Sequence, residues 1–450
     1  MADGGGSGHV AAPAGRPGRG ASDQQHQNVS PWHRSRDGRV VLLLFVATWV
    51  VYLLTATYDS YQVNDNRAVA TSAWSLGARG TLELPAEWEG SIDWETPGTD
   101  GRLFTDRFPG AILLAAPAYA AAGLLGLADQ PSHPYFLTYG PAGVTAATIA
   151  ALVVAVLYGV FRRLVERRTA LGAASLFAFG TASWSVTADA MWTHGTTSLG
   201  LAGGMLALAS GREAWAGSAY AASILARPQT AVVAAVIGIW RGVQLRTLRP
   251  VVVIGLTSSL GLLAVSIYSR LLFGTWLPIA GYDPSKVGAV VTSGSLEFAE
   301  RFLFTLGHPT RGVLRFTPIL VMLLPLLHRG WRTAPSWVRS SAVAGVVYLV
   351  VQLRSNVWHG GADFFGSRLT IETLVLAAPL LLCTWQAAIR PTRLLRWCFT
   401  VLAVLSIVIH AVGATYLSVS PSGRERHAAN REALCETEPA PPECADLVFD

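Results

Sequence analysis

The chain has few charged residues and almost no lysine. Only 14% of its 450 residues are charged and Lys286 is the single lysine, whereas 51% of the residues are apolar. A chain so poor in charge is not a soluble domain, and this composition is typical of a polytopic membrane protein. We therefore predict one integrated, all-α membrane domain.

Other absences narrow the function. The four cysteines form no CxxC pair and the histidines no HExxH motif, so neither a structural zinc site nor a zincin is predicted. The basic residues form short separate groups and not one stripe, which excludes a nucleic-acid partner. The two halves of the chain show no matching pair of interrupted helices, the usual mark of a transporter with inverted repeats. A transporter is therefore the less favoured class.

The arginines predict which loops are cytoplasmic. Arg34, Arg36 and Arg39 precede the first apolar run, and further groups fall at 162–168, 241–249, 329–339 and 390–396. The positive-inside rule places all of these groups in the cytoplasm. Residues 1–38, which begin with a stretch rich in Gly, Ala, Pro, Ser and Gln, are predicted to be a disordered cytoplasmic tail. A membrane domain at 39–418 then opens with a retained signal-anchor helix at 40–57.

The apolar run 109–127 is the exception among the predicted spans. If it crossed the membrane, the arginines at 162–168 would lie outside, against the charge rule. The run is also broken by Pro109 and Pro117, so we predict an interfacial or re-entrant helix within a first external loop at 58–128. The bundle then has about eleven membrane helices, counting a short pair around Arg227-Pro228-Gln229, and an extracytoplasmic tail at 419–450. Apart from 40–57, the predicted helices are 137–160, 169–188, 195–210, the pair within 215–240, 250–273, 316–328, 340–354, 368–386 and 397–418.

The cysteines agree with this topology. Cys383 and Cys398 lie in apolar helices and are predicted to be buried thiols. Cys435 and Cys444 lie in the polar tail outside the membrane, where a disulfide between them is expected.

Two charged residues of the external loop are candidates for chemistry. Asp65 precedes a helix-like apolar face, and it is either a catalytic carboxylate or a helix cap or solvated acid. Arg107 is brought to the same interface, where it binds phosphate or extends to lipid headgroups. Trp74, Trp88, Trp94 and Trp192 either stack on sugars or belong to the interfacial aromatic belt.

Ionisable and other polar residues gather on the predicted outer face, and in or beside a membrane span such residues are functional candidates. Structural alternatives stay open: His194 as a belt residue, and the glycines beside His359 as a tight turn before Arg368. Arg227, a charge beside a proline in an apolar hairpin, needs a partner. Together these residues predict a site for an anionic substrate that stays in the membrane. They are Asp65, Asp106, Arg107, Asp189, His194, Arg227, Tyr282, Lys286, His308, Arg311, His359, Asp363 and Arg368.

Seven stretches, in order along 58–385, resemble the GT-C superfamily of polytopic glycosyltransferases, which use polyprenyl-phosphate sugars. The resemblance is to its protein-mannosyltransferase-like and aminoarabinose-transferase-like branches. The stretches are NDNRAVATSAWSLGARG, TDRFPGAILLAAPAY, WTHGTTSLGLAGG, AYAASILARPQTAVV, FGTWLPIAGY, HPTRGVLRFTPIL and WHGGADFFGSRLTIETLVLAAPLL.

The resemblance implies roles for individual residues. Asp65 is similar to the family's general base in the first external loop, and Arg107 to its contact with the donor phosphate. Arg227 and Arg368 stand where the family places polar or basic residues, and they are expected to bind the same phosphate. The remaining substrate-binding candidates on this face are Asp106, His194, Tyr282 and His359.

The chain departs from the family pattern in two ways. Asn66 stands where related chains carry a second acid, so no metal is assigned and no cofactor is expected. A large soluble carboxyl-terminal domain is also missing, which argues against an oligosaccharyltransferase.

The expected function is inverting transfer of mannose or arabinofuranose from a polyprenyl-phosphate donor to a hydroxyl group. The acceptor is a glycan, a lipid or a protein at the outer face of the plasma membrane, and membrane lipids are further partners. The alternatives are a polyprenyl-lipid or glycolipid transporter or flippase, and a non-catalytic partner in cell-envelope assembly.

Overall fold

The computed structural model describes most of the chain: residues 31–58, 64–90, 94–128, 130–283, 295–356, 358–361, 364–417, 421–436 and 440–446. Lys286 and Asp363 lie outside these residues. The chain divides into two compact units, 1–40 and 41–450, and the packing and the site described below belong to the second unit.

The regular elements of the described residues are helices, apart from one two-stranded antiparallel hairpin within the predicted loop 58–128. Its strands are β1 (Glu95–Pro97) and β2 (Leu103–Thr105), with Thr96 opposite Phe104. The first eight helices are α1 (Pro31–Thr55), α2 (Asn64–Arg79), α3 (Pro109–Leu124), α4 (Gly140–Phe161), α5 (Arg167–Gly180), α6 (Thr193–Ala209), α7 (Glu213–Ala226) and α8 (Ala231–Leu245). The others are α9 (Arg249–Phe273), α10 (Ser295–Gly307), α11 (Val313–Phe316), α12 (Ile319–Leu323), α13 (Leu327–Thr333), α14 (Ser336–Ser355), α15 (Ile371–Thr384), α16 (Arg393–Thr415) and α17 (Pro421–Cys435).

Among the described residues, six helices are long and apolar enough to cross a membrane, which agrees with an all-α membrane protein. They are α1, α4, α9, α14, the helical run Arg368–Ile389 that contains α15, and α16. The count of about eleven spans is not confirmed. Helices α5 to α8 have 14, 17, 14 and 15 residues. Because an α-helix rises 1.5 Å per residue, these helices are about 21 to 26 Å long, less than the roughly 30 Å of a bilayer core.

The predicted helix at 316–328 is wrong as a continuous element. Two prolines divide this stretch into α11, α12, a short 3-10 turn at Leu324–Leu326, and α13. Pro318 precedes α12 and Pro325 lies in the turn, and neither has a backbone N–H to continue a helix. By contrast, the helix pair predicted around Arg227-Pro228-Gln229 is confirmed as α7 and α8.

The segment between α1 and α4 leaves and re-enters the bundle at the same face. A Cβ built on Gly143, in the first turn of α4, would lie 2.8 Å from the Tyr58 ring, just beyond the end of α1. Further from this contact along both helices, Nε1 of Trp49 donates to the hydroxyl of Thr148 at 2.9 Å, so α1 and α4 run in opposite directions. The segment between them, including α3, starts and ends at one face of the bundle. A helix α3 that does not cross the membrane requires this arrangement. The interfacial position of α3 stays a prediction.

The carboxyl-terminal segment packs against the residues between α3 and α4. Cys435 and Cys444 form the expected disulfide, and the backbone N–H of Ser132 donates to Oε1 of Glu443 at 2.7 Å. Cys383 is buried as predicted, but Cys398 is exposed, so that prediction is wrong. Cys398 lies on α16. The outward face of this helix carries exposed apolar side chains, among them Trp397, Val401 and Val404.

The four tryptophans predicted to stack on sugars or to line the membrane interface are buried. Trp74 stacks on Trp88 with ring centroids 5.3 Å apart, and the two rings belong to the core between α2, α3 and α4. Trp94 lies in a second core cluster with Leu84 and Leu103. Trp192 is buried beside Phe364, so all four rings stabilise the fold from inside.

Candidate functional site

Four elements bring side chains to one point at the face where the external loop joins the bundle. Asp65 lies in the first turn of α2, where the helix dipole favours a carboxylate. Arg107 lies between β2 and α3, so the hairpin and the helix fix it from both sides. Tyr282 follows α9, and Arg368 starts the helical run that contains α15. We call Asp65, Asp106, Arg107, Tyr282 and Arg368 the outer cluster.

Two arginines share the carboxylate of Asp65. Nη2 of Arg107 lies 3.0 Å from one oxygen, and Nη1 of Arg368 donates to the other at 2.8 Å. The three residues are far apart in sequence, and only the tertiary fold makes them neighbours. The arrangement is a pair of guanidinium groups around a single anion.

Arg107 is held by further polar contacts. Its Nε lies 3.3 Å from Oδ1 of Asp106, and Nη1 donates to the hydroxyl of Tyr282. Tyr268 donates its hydroxyl hydrogen to the backbone oxygen of Arg107 at 3.3 Å. The guanidinium is thus oriented before any substrate binds.

Arg368 is held by aromatic rings. Its guanidinium carbon lies 4.4 Å from the centre of the Trp192 ring and 5.1 Å from that of Phe364. Such stacking suits a planar guanidinium better than a lysine ammonium. Gly360 and Gly361, both with positive φ, approach the same guanidinium, and a Cβ on Gly360 would lie 3.5 Å from its Nε.

The exposure of the outer cluster is uneven. The side chain of Asp65 is 42% exposed, whereas those of Arg107 and Arg368 are each 12% exposed. Burial alone would raise the pKa of Asp65, but the positive charges of Arg368 and Arg107 outweigh it, and the pKa lies below its ordinary value of 3.8. Asp65 is therefore an ionised carboxylate that a ligand can reach.

A second group of polar residues lies deeper in the bundle. Nδ1 of His194 is 2.7 Å from Oε1 of Glu372, and Nη1 of Arg227 is 2.8 Å from Nε2 of the same histidine. Nη2 of Arg227 donates to Oε1 of Gln352 at 3.1 Å. The same Nη1 lies 3.0 Å from Nδ1, so it faces the imidazole edge that carries both ring nitrogens, and since an arginine only donates, a ring nitrogen is its acceptor. We call His194, Arg227, Gln352 and Glu372 the inner cluster.

The inner cluster includes two residues that the sequence analysis missed. Glu372 is completely buried in the first turn of α15, and Gln352 is buried on α14. The available signal was the carboxylate itself, because Glu372 stands in an apolar run and an ionisable residue there is a functional candidate. Arg227 has the partner that its position required, and its charge contributes to lowering the pKa of Asp65.

The other described candidates lie outside the outer and inner clusters. His359 is exposed, and its Nδ1 accepts from the backbone N–H of Gly361 at 3.1 Å. Asp189 is buried and accepts from the hydroxyl of Thr57 at 2.7 Å, which ties the end of α1 to the bundle. His308 packs against Trp358 with ring centres 4.7 Å apart, and Arg311 lies over Phe364, next to the outer cluster.

Among the described residues, no group of three or more His, Cys, Asp or Glu side chains is placed to hold a metal ion. Arginines surround Asp65 in this structure, and a guanidinium supplies the positive charge that its carboxylate faces.

Comparison with known proteins identifies the fold. No protein-family model matches the chain, and no curated protein matches it in sequence. The crystal structure of the Archaeoglobus fulgidus oligosaccharyltransferase in the apo form is similar, with a TM-score of 0.51 and 12% identity over 88% of this chain and 58% of that one. The same enzyme tethered to an acceptor peptide with the NVT sequon matches at 13% identity over 90% of this chain and 58% of that one, but its TM-score of 0.44 carries no argument.

The likeness shows a shared fold and covers 88% of this chain. This chain spans less than two thirds of the length of the oligosaccharyltransferase, so the fold does not carry that enzyme's activity with it.

Proposed function

We propose that this chain is an inverting glycosyltransferase of the GT-C type, which moves one sugar from a polyprenyl-phosphate donor to an acceptor hydroxyl. The observation that carries the proposal is the convergence of Arg107 and Arg368 on the exposed carboxylate of Asp65. A base and two anion-binding groups are the parts that such a transfer needs. The shared fold with an oligosaccharyltransferase supports the same class of reaction.

The two arginines suit a phosphate for a geometric reason. A guanidinium offers paired N–H groups that match the oxygens of a phosphate or a carboxylate. Without substrate, Asp65 occupies both arginines. A donor phosphate competes for the same N–H groups, and as it binds, the attraction between the arginines and Asp65 weakens. The carboxylate is then a stronger base than in the resting protein.

The reaction moves one sugar to the acceptor oxygen and one proton to Asp65. The acceptor oxygen attacks the anomeric carbon while the bond between that carbon and the phosphate oxygen breaks, and its electron pair stays on the phosphate. Asp65 takes the proton of the acceptor hydroxyl, and general-base help of this kind contributes about 100 to 10,000-fold. Arg107 and Arg368 stabilise the charge that grows on the leaving phosphate. A single displacement inverts the anomeric centre.

The remaining candidate residues support the base Asp65 and the two phosphate-binding arginines. Tyr282 and Asp106 orient Arg107, and we propose that they contact the donor as well. Arg227 acts from the inner cluster through its charge, and His194 holds it in place. We keep His359, exposed on a glycine turn beside Arg368, as a candidate contact to the acceptor.

We further propose that the site faces outward, with the amino-terminal tail in the cytoplasm and α3 forming one wall of a groove for the polyprenyl chain. The arginine groups of the other loops support this orientation. Mannose and arabinofuranose are the proposed sugars, and glycan, lipid and protein hydroxyls the proposed acceptors.

The test is the substitution Asp65→Asn in purified protein reconstituted in lipid. Transfer of labelled mannose or arabinofuranose from its polyprenyl phosphate is measured with a hydroxyl acceptor, and we expect a loss of about 100-fold or more. The matched control is Asp100→Asn, since Asp100 is an exposed acid of the same external loop, paired only with a surface arginine. This control should keep full activity.

Three results would contradict the proposal. Continued transfer by the Asp65→Asn variant would show that Asp65 is not the general base. Movement of a polyprenyl-linked sugar across the bilayer without transfer would favour the flippase, and neither activity with any donor would favour the non-catalytic assembly partner. The melting temperature of each variant, measured in detergent, separates lost chemistry from lost folding.

A further inference from the structure

A cavity lies at the end of the bundle opposite the outer cluster. Its volume is about 490 Å³, within the range of about 300 to 1,000 Å³ that is usual for ligand pockets. It extends to Trp385, which follows Arg368 by seventeen residues along one helical run. At 1.5 Å per residue, the two residues lie about 26 Å apart along the helix.

The cavity is a slot between α5 and the amino-terminal half of α16, with residues of α12 and α15 forming its other walls. Helices α5 and α16 meet further on, where a Cβ built on Gly180 would lie 3.6 Å from Cβ of Ser406. On α5 the lining runs from Arg168 to Thr181, which corresponds to a depth of about 20 Å. One leaflet of a bilayer core is about 15 Å deep, so the slot has the length of a lipid chain lying within it.

The slot is apolar in its interior and basic at its mouth. The depth is formed by aliphatic and aromatic side chains, including Leu176, Phe177, Leu320, Leu381 and Phe399. Arg168 and Arg396 line the mouth and are both exposed, and Trp385 stands beside them. Glu166, two residues before Arg168, lies 3.7 Å from Arg390, so its charge is paired outside the two arginines of the mouth.

The slot is also placed where a bilayer lipid can enter. Helix α16 turns an apolar surface outward, with Leu394, Trp397 and Val401 each more than 60% exposed. A face of this kind in a membrane protein contacts lipid tails. A chain can therefore pass from the bilayer into the slot while its headgroup stays at the basic mouth.

We propose that the slot binds one glycerophospholipid with an anionic headgroup, its acyl chain between α5 and α16 and its phosphate at Arg168 and Arg396. Charge complementarity selects an anionic lipid, because two guanidinium groups face the headgroup. Basic pockets between membrane helices are known to hold anionic lipid headgroups. This site shares no residue with the outer or the inner cluster and is independent of the proposed transferase activity.

The first test fills the slot. Gly172 lines it, and no described atom lies within 4 Å of a Cβ built there, so the Gly172→Phe side chain enters free space. Binding of phosphatidylglycerol to the purified full chain in detergent is measured by native mass spectrometry. We expect at least tenfold weaker binding for Gly172→Phe. The matched control is Gly255→Phe on the exposed side of α9, where a Cβ likewise meets no described atom and binding should be unchanged.

The second test removes the basic mouth. The double substitution Arg168→Gln with Arg396→Gln should weaken phosphatidylglycerol at least tenfold and leave phosphatidylcholine unchanged, and inorganic phosphate should not displace the lipid. The proposal is overturned if the wild type binds the two lipids equally, if Gly172→Phe binds like the wild type, or if polyprenyl phosphate occupies the slot in preference to phosphatidylglycerol.

Discussion

At the residue scale, the outer cluster depends on arginine as a chemical type and not only on positive charge. Arg368 uses one edge of its guanidinium for Asp65 while its flat face lies on Trp192 and Phe364. A lysine at this position keeps the charge but has no planar group to stack and no paired donors for a phosphate. The identity of this side chain is therefore a sharp test of the site.

We expect Arg368→Lys to lower kcat/KM for the polyprenyl-phosphate donor by about 100-fold or more, the usual effect of removing one donor that stabilises growing charge. The kinetic assay is the one described for Asp65→Asn. Arg102→Lys, at an exposed arginine of the external loop, serves as the control and should be active. An Arg368→Lys enzyme with normal kinetics would show that charge alone suffices.

At the element scale, the position of Asp65 depends on how closely α2 packs on α3. A Cβ built on Gly77 of α2 would lie only 2.2 Å from the backbone oxygen of Ala116 on α3. Small residues that allow such close approach are typical of helix contacts in membranes. Because Asp65 lies in the first turn of α2 and Arg107 precedes α3, the packing of these two helices also affects the distance between the two charged groups.

We expect Gly77→Ala to destabilise the protein by about 1 to 3 kcal/mol, since the added methyl group forces the two backbones apart. The measurement is thermal unfolding in detergent, together with transfer activity. Gly123→Ala tests the same helix pair without a clash, because its Cβ would lie 3.5 Å from that of Ala78. Equal stability of the two variants would contradict the tight contact.

At the scale of the whole molecule, the path of the chain decides which face carries the site. We propose that α3 does not cross the membrane, so Glu87 before it and Leu127 after it should lie on the same side. Both side chains are exposed, as is Arg163 in a predicted cytoplasmic group.

Single cysteines at these three positions, in a Cys398→Ser background, test the topology. We expect Glu87→Cys and Leu127→Cys to react with an impermeant maleimide in intact cells, and Arg163→Cys only after permeabilisation. Labelling of Leu127→Cys only after permeabilisation would mean that α3 crosses the membrane. The reverse pattern at Glu87 and Arg163 would invert the proposed orientation.

The site was partly accessible from the sequence. Asp65, Arg107 and Arg368 stand out as charges at the ends of apolar runs, and the structure brings them together. Their direct pairing was not predictable, because the distance between residues hundreds of positions apart depends on helix packing. Glu372 was missed among apolar neighbours, and the four tryptophans were misjudged, because sequence cannot tell a lipid-facing ring from a buried one.

Composition and charge patterning are enough to indicate the class of protein and the charged residues of the loop 58–128. Apolar runs, scarce charge and grouped arginines act through solvation, which each segment experiences on its own. The packing of the helices, by contrast, sets Asp65 between two arginines, gives His194 and Arg227 a shared buried partner in Glu372, and opens a slot between α5 and α16. Contacts of this kind depend on how helices distant in sequence pack together, and no single segment specifies that packing.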